Sequence, residues 1–243
     1  CPGIIISDLL ISEGTFSIDP DLIDLQPKID RGALLVDPSP DGNYLRYANT
    51  ESGISPRVPP GYEGFVHVVA TDEHDEDGVI ISDEFTHPHK RRRSVEKRAR
   101  KFRGVAADVP PPILEGPEDA EVTLVGWGST YGVIREAIEI LSEGGTFSAA
   151  PVVANQLAIK WIVPFHGEAV NEILSSAKRV LIVENNHSGQ FARYLRSETG
   201  FSAHGHIRKY DGEPFMPHHI VEGVLDLLNS EATTYVPHQE MIV

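Results

Sequence analysis

The sequence predicts an α/β protein: a mostly parallel open sheet with flanking helices. Two observations carry this prediction. From Glu121 onward, short runs of β-branched and aliphatic residues alternate with segments whose apolar residues recur at helical spacing. Each run is separated from the next segment by glycine-bearing or polar turns, and connections of this length fit parallel strands joined by helical crossovers.

The elements follow in order. Val122–Val125 is a strand and Gly126-Trp127-Gly128-Ser129-Thr130 is its turn, with Ser129 or Thr130 placed to cap the next helix. That helix covers Val133–Leu141, with apolar positions at Val133, Ile134, Ala137, Ile138 and Leu141, and Gly144-Gly145 stops it. Leu157–Val163 is the next strand, ending at Pro164. Ala169–Leu174 opens a helix that stops near Lys178. Val180–Val183 is long enough for a buried strand. The polar turn Glu184-Asn185-Asn186-His187-Ser188-Gly189 breaks it, and Gln190–Leu195 resumes as a helix that Gly200 ends. Ile207–Tyr210 is a short strand and His219–Leu228 a last helix.

The first half of the chain is less regular. Gly3 and Ile4–Ile6 read as strand-like, with Leu9-Leu10-Ile11 continuing into a helix or loop. Asp19–Pro60 is rich in Asp, Pro, Gly, Asn and Ser and reads as an extended crossing segment, with short strands expected at Arg31–Leu35 and Tyr44–Tyr47. Ser55–Gly61 is stiffened by prolines, and Phe65–Ala70 is strand-like again. Thr71–Gly78, TDEHDEDG, holds five carboxylates and one histidine. Such density invites a cation, since hard metals take oxygen ligands, but the spacing does not match a calcium loop. A solvated acidic turn or an interdomain hydrogen-bond cluster is the plainer reading. Contact with a neighbouring chain's active site is the third. His87-Pro88-His89 is too short to hold a metal tightly. Lys90–Lys101, KRRRSVEKRARK, contains no Gly or Pro and predicts a charged helix. A solvated helix meeting an acidic surface of the same protein is favoured over a phosphate or nucleic-acid site, because no aromatic residue interleaves it before Phe102. Pro110–Pro117 reads as a stiff linker. The expected division is 1–18, 19–115 and 116–243.

Composition sets the limits. With 243 residues, 40% of them hydrophobic and 23% charged, the chain is globular in character. No apolar run reaches the roughly 18–20 residues that cross a bilayer, and no signal peptide is recognisable. The chain starts at Cys1 rather than Met, which suggests a fragment of something longer, with a processed N-terminus as the plainer alternative. A single cysteine excludes an internal disulfide, fits a reducing cytoplasm, and cannot by itself hold an iron–sulfur cluster, which takes about four thiolates. Net charge is −15, although Lys90–Arg103 alone carries nine basic residues and one acid. An acidic balance argues against general nucleic-acid binding.

The candidate functional residues sit at strand ends, where open α/β sheets bind ligands. Gly126-Trp127-Gly128 is followed by Gly132, one place late for a dinucleotide fingerprint, and no acid stands at the end of the following strand to hold a ribose. A tight strand-to-helix turn is the plainer reading. Glu184 pins its own turn or lines a ligand crevice, with Asn185, Asn186 and His187 beside it. No Ser-His-Asp or Cys-His arrangement is present. His218-His219 and His204-x-His206 read as surface histidines.

Several stretches resemble one family in order: Ile4–Asp8, Arg57 with Pro60-Gly61, Asp72–Gly78, Lys90-Arg91 to Lys97, Gly126–Thr130, Val183–Asn186 with Ser188-Gly189-Gln190, and Lys209–Phe215. The chain is similar to the C-terminal portion of the alpha subunit of 2-oxoacid:ferredoxin oxidoreductases. Its last domain resembles the C-terminal domain of transketolase-like enzymes. The resemblance implies oxidative decarboxylation of a 2-oxoacid with coenzyme A, using thiamine diphosphate and Mg2+, with electrons passed to ferredoxin. The overall pattern is closer to the 2-oxoglutarate branch than to pyruvate. It implies a beta subunit as partner, which carries the pyrophosphate site, and an iron–sulfur cluster on a partner subunit. It also implies that residues 1–18 are the tail of a pyrimidine-binding domain and 19–115 an interdomain segment. The family's Tyr-Pro-Ile-Thr-Pro motif and Gly-Asp-Gly motif are absent, so no catalytic residue and no metal ligand is carried over. Arg57, Glu73, His74, Gly126, Gly128, Ser129, Thr130, Glu184, Asn185 and Asn186 are candidates for substrate or interface contact. No membrane contact is expected. The alternative is a stand-alone α/β interaction module whose basic helix docks an acidic partner.

Overall fold

The computed structural model describes residues 3–36, 44–145 and 150–238. Cys1 and part of the Asp19–Pro60 segment lie outside them. Two compact units form, Cys1–Phe16 with Pro110–Val243, and Ser17–Val109.

The first unit holds the sheet. Its strands are β1 (Leu114–Glu115), β2 (Val122–Trp127), β3 (Ala154–Ile159), β4 (Val180–Glu184), β5 (Gly205–Arg208) and β6 (Thr234–Tyr235). Among the described residues they lie in the order β1-β3-β2-β4-β5-β6. Only β1 runs antiparallel, against β3; every other pairing is parallel. The connecting helices are α3 (Thr130–Glu143), α4 (Gly167–Ser176), α5 (Gln190–Thr199) and α6 (Pro217–Asn229).

Residue alternation splits the core into two layers. Val122, Leu124, Leu181, Val183 and Ile207 face one side and pack on Ile134, Ala137 and Leu141 of α3 and Ile220, Val224 and Leu227 of α6. Val125, Leu157, Ile159, Val180 and Ile182 face the other side and pack on Val170 and Leu174 of α4 and Phe191 and Leu195 of α5. Strands buried on both faces read as continuous apolar runs, as Val180–Val183 does. Gly144 stops α3 at φ +66°.

The structure shifts several boundaries. The strand expected at Leu157–Val163 is Ala154–Ile159. Asn155 and Gln156 are buried inside it, their amides donating to the Pro117 carbonyl at 2.7 Å and the Tyr131 carbonyl at 3.1 Å. These bonds satisfy the donor end of each amide, while Asn155 Oδ1 and Gln156 Oε1 are buried without a partner among the described residues. The proline stretch does not act as linker throughout, because Leu114–Glu115 joins the sheet edge. Ile4–Ile6 forms no strand and is 72–96% exposed, since an apolar run needs a neighbouring strand to pair and none of the described residues supplies one. A short α1 (Leu9–Glu13) follows, capped by the Asp8 carboxylate.

The second unit is organised by α2 (Pro88–Asp108), which contains the expected charged helix and extends it to 21 residues. The strands expected at Arg31–Leu35 and Phe65–Ala70 reduce to a Leu34–Arg57 bridge and one backbone bond from Ala70 N–H to the Gly78 carbonyl, and Tyr44–Tyr47 forms a turn. Polar residues outnumber apolar ones here, and Ile81 and Val109 are the buried hydrophobic residues among those described. No helix among the described residues is long and apolar enough to cross a membrane.

Candidate functional site

The sheet topology selects the location. From β2 the chain crosses to β3 on one side and later reaches β4 on the other, so the order reverses between β2 and β4. Crevices in open α/β sheets form outside the carboxyl ends of strands at such a point. Seven of the ten candidates lie there: Gly126 at the end of β2 with Gly128, Ser129 and Thr130 after it, and Glu184, Asn185 and Asn186 at the end of β4.

The β2 turn is a close-packed joint. Thr130 is buried, and its Oγ1 accepts from Trp127 N–H at 3.0 Å and donates to the Trp127 carbonyl at 2.9 Å. A Cβ on Gly126 would sit 2.4 Å from Thr130 Oγ1 and 2.5 Å from Ile134 Cδ1, so glycine is needed for this approach. Gly128 turns outward at φ +60° with open space beside it. Ser129 occupies the N-cap of α3 without capping it through its side chain.

The β4 turn is held by one carboxylate. Glu184 is fully buried. It accepts from Phe191 N–H at 2.9 Å, Asn186 Nδ2 at 2.6 Å and Ala192 N–H at 3.4 Å. Asn186 Oδ1 in turn accepts from Gln190 N–H at 3.0 Å. The first-turn N–H groups of α5, which an anion would otherwise take, are thus satisfied from within the chain. Trp127 stacks on Phe191 with centroids 5.7 Å apart, tying the β2 end to the helix that Glu184 caps.

Neighbouring groups complete the rim. Asn185 is exposed, and His187 meets Tyr210 edge-on at 4.9 Å. Behind them Lys209 is buried, its ammonium held by both Asp211 oxygens at 2.5 and 2.6 Å and by the Glu213 carbonyl at 3.3 Å. The Lys209 hydrogen bond holds the Asp211 carboxyl below its ordinary range. His206 is half-buried rather than on the surface, and burial lowers its pKa, helped by Arg208. His219 is buried too, capping α6 with Nδ1 accepting from Met216 N–H at 3.1 Å. Sequence reasoning missed these two histidines; their place between apolar positions of β5 and α6 was the available signal. The rim offers neutral hydrogen-bonding and aromatic groups together with the Arg208 guanidinium, whose Nη1 donates to the His187 carbonyl at 3.4 Å, while its carboxylate and its ammonium are engaged inward.

The other three candidates belong to the second unit. Glu73 pairs with Arg98 at 2.6 Å and Arg91 at 3.4 Å. His74 packs against Tyr47 at 4.3 Å, with Nδ1 3.0 Å from the Asp72 carbonyl. Arg57 donates to the Arg31 carbonyl at 3.2 Å. Lys90–Asp75 at 2.5 Å and Arg93–Glu76 at 2.8 Å extend the set, so the acidic turn and the basic helix engage each other.

No family model matches the sequence. Among characterised proteins, the chain is 35% identical over 222 residues to the alpha subunit of 2-oxoacid:ferredoxin oxidoreductase 2 from Aeropyrum pernix, covering 88% of this chain and 32% of that protein. The chain belongs to the 2-oxoacid:ferredoxin oxidoreductase alpha-subunit family. It is 28% identical over 214 residues to the alpha subunit from Saccharolobus solfataricus, covering 87% of this chain and 32% of that protein. A solved structure of 2-oxoglutarate:ferredoxin oxidoreductase from Magnetococcus marinus, with 2-oxoglutarate, coenzyme A and succinyl-CoA bound, matches with a TM-score of 0.68 and 29% identity over 78% of this chain and 31% of that chain. This alpha-subunit family member therefore spans about a third of the length of the curated relatives it matches.

The residues present do not fit thiamine diphosphate with its Mg2+. Among the described residues no three His, Cys, Asp or Glu side chains converge on one metal position. The α5 N-terminus, the natural cradle for a diphosphate at this crevice, is filled by Glu184. An iron–sulfur cluster does not fit a sequence with one cysteine.

Proposed function

We propose that the chain serves as part of the alpha subunit of an enzyme that oxidatively decarboxylates a 2-oxoacid to its acyl-CoA, releasing CO2 and passing two electrons to ferredoxin. The identity to alpha subunits over 88% of this chain is the observation that carries the reading. 2-Oxoglutarate is the proposed substrate, supported by the name and bound ligands of the structural relative. Thiamine diphosphate, Mg2+ and the iron–sulfur cluster reside outside this chain, on a beta subunit or elsewhere in the complex, in the cytoplasm.

Within that enzyme we assign this chain a framing role. Residues 1–18 end a pyrimidine-binding domain, 19–115 join the domains and end in β1 at the sheet edge, and 116–243 form the rest of the transketolase-like C-terminal domain. The rim at the ends of β2 and β4 lines the approach of coenzyme A or of the partner subunit. Its inward-turned Glu184 and outward Gly128, Asn185 and His187 suit a contact surface better than proton transfer. A stand-alone module is not favoured, since the basic helix is already engaged by the chain's own acidic turn.

The substrate assignment is tested by acyl-CoA formation in the native complex. The expected result is turnover of 2-oxoglutarate well above that of pyruvate. Preference for pyruvate overturns the substrate, and turnover of neither overturns the enzyme assignment.

A further inference from the structure

A cavity of about 160 Å³ opens beside the carboxyl end of β3, the strand that flanks β2 on the side opposite β4. Its floor is Ile159 and Val170, both buried, and its walls are Phe165, Trp161 and the Pro110–Pro112 stretch. Lys160 and Glu115 stand along its lining, the Glu115 carboxylate accepting from the Tyr131 hydroxyl at 3.0 Å. His166 also lines it. The His166 Nε2 is buried and has no hydrogen-bond partner among the described residues.

An apolar cavity of about 150 Å³ is large enough to hold benzene. A buried water needs two to four polar partners. The Glu115 carboxylate accepts from Tyr131 and the Lys160 ammonium lies 5.5 Å from the Tyr131 ring centroid, while His166 Nε2 is the buried lining nitrogen with no partner among the described residues, beside the apolar Ile159, Phe165 and Val170. An unsatisfied buried nitrogen carries a desolvation cost that a ligand hydrogen bond would relieve. We infer that this cavity is a binding site for a compact neutral aromatic molecule with a single hydrogen-bonding group, its ring between Phe165, Val170 and the prolines and its polar atom on His166 Nε2. Small-molecule sites are concave and mostly apolar, with few polar groups that fix orientation.

The test uses p-cresol as probe and toluene as its comparator without a hydroxyl. Both are titrated into the 243-residue chain by saturation-transfer NMR. The expected result is saturable p-cresol binding that weakens about fivefold in His166→Leu, the loss of one hydrogen bond, while toluene affinity stays within twofold. Ala158→Leu, which places a larger side chain on the cavity lining, is expected to abolish binding of both. Absence of saturable p-cresol binding overturns the proposal, as does equal p-cresol affinity in the native chain and His166→Leu. If Ala158→Leu fails to fold, the His166→Leu comparison still decides.

Discussion

Glu184 shows how one buried side chain replaces several surface interactions. It stands where the strand ends and meets three N–H donors, two of them on the first turn of α5. Replacing it with alanine leaves those donors buried without a partner, a cost of about 3 kcal/mol. Urea unfolding of Glu184→Ala is expected to show that loss, and Glu184→Gln a smaller one because its amide oxygen still accepts. A loss under about 0.5 kcal/mol in Glu184→Ala would contradict the assignment. The Lys209–Asp211 pair carries a pH signature. Asp211 is depressed in the folded chain by its bond to Lys209. Its contribution is therefore complete above the usual aspartate range and is lost as pH falls below about 4. Acid unfolding of Asp211→Asn is expected to be flatter below pH 4 than that of the native chain; superimposable profiles would remove the pair from the account. A polar cluster after the Val180–Val183 run was legible in the sequence. Which way Glu184 turns was not, because the answer depends on the path of six intervening residues.

At the scale of elements, α2 differs from the sheet helices because none of its residues is buried. Its attachments are polar. Lys97 donates to the Tyr47 carbonyl at 2.7 Å and to Ser55 at 2.6 Å, Arg100 donates to Asn49, and four ion pairs reach the acidic turn. In these pairs a basic side chain 43–61% exposed meets an acid 6–29% exposed, so salt reaches them from the helix side, and partly exposed pairs contribute about 1 kcal/mol each. Raising ionic strength to about 1 M is therefore expected to speed amide exchange in residues 44–58 and 71–82 while the sheet unit changes little. Equal protection of both regions at low and high salt would show that apolar packing holds α2. The charge of each partner was legible, since five acids in TDEHDEDG and the KRRR run stand out in any reading. Strand β3 was misplaced for the opposite reason. Asn155 and Gln156 carry no apolar strand signal in the sequence, and the carbonyls their amides reach belong to Pro117 and Tyr131, residues 38 and 25 positions away.

For the whole molecule, the alternation of apolar runs was enough to give a mostly parallel sheet, because strands covered on both faces must be apolar throughout. The fate of Ile4–Ile6 was not legible, since a strand-like run does not by itself show which strand it would pair with. Those residues and Leu9, Leu10 and Ile11 are exposed here, which accords with the proposal that this chain works inside a larger assembly. The most direct measurement is native purification of the polypeptide, with mass spectrometry and an absorption spectrum of what accompanies it. The account predicts a stoichiometric partner subunit, bound thiamine diphosphate and an iron–sulfur chromophore. A lone, colourless chain of this length, free of partner and cofactor, would contradict it.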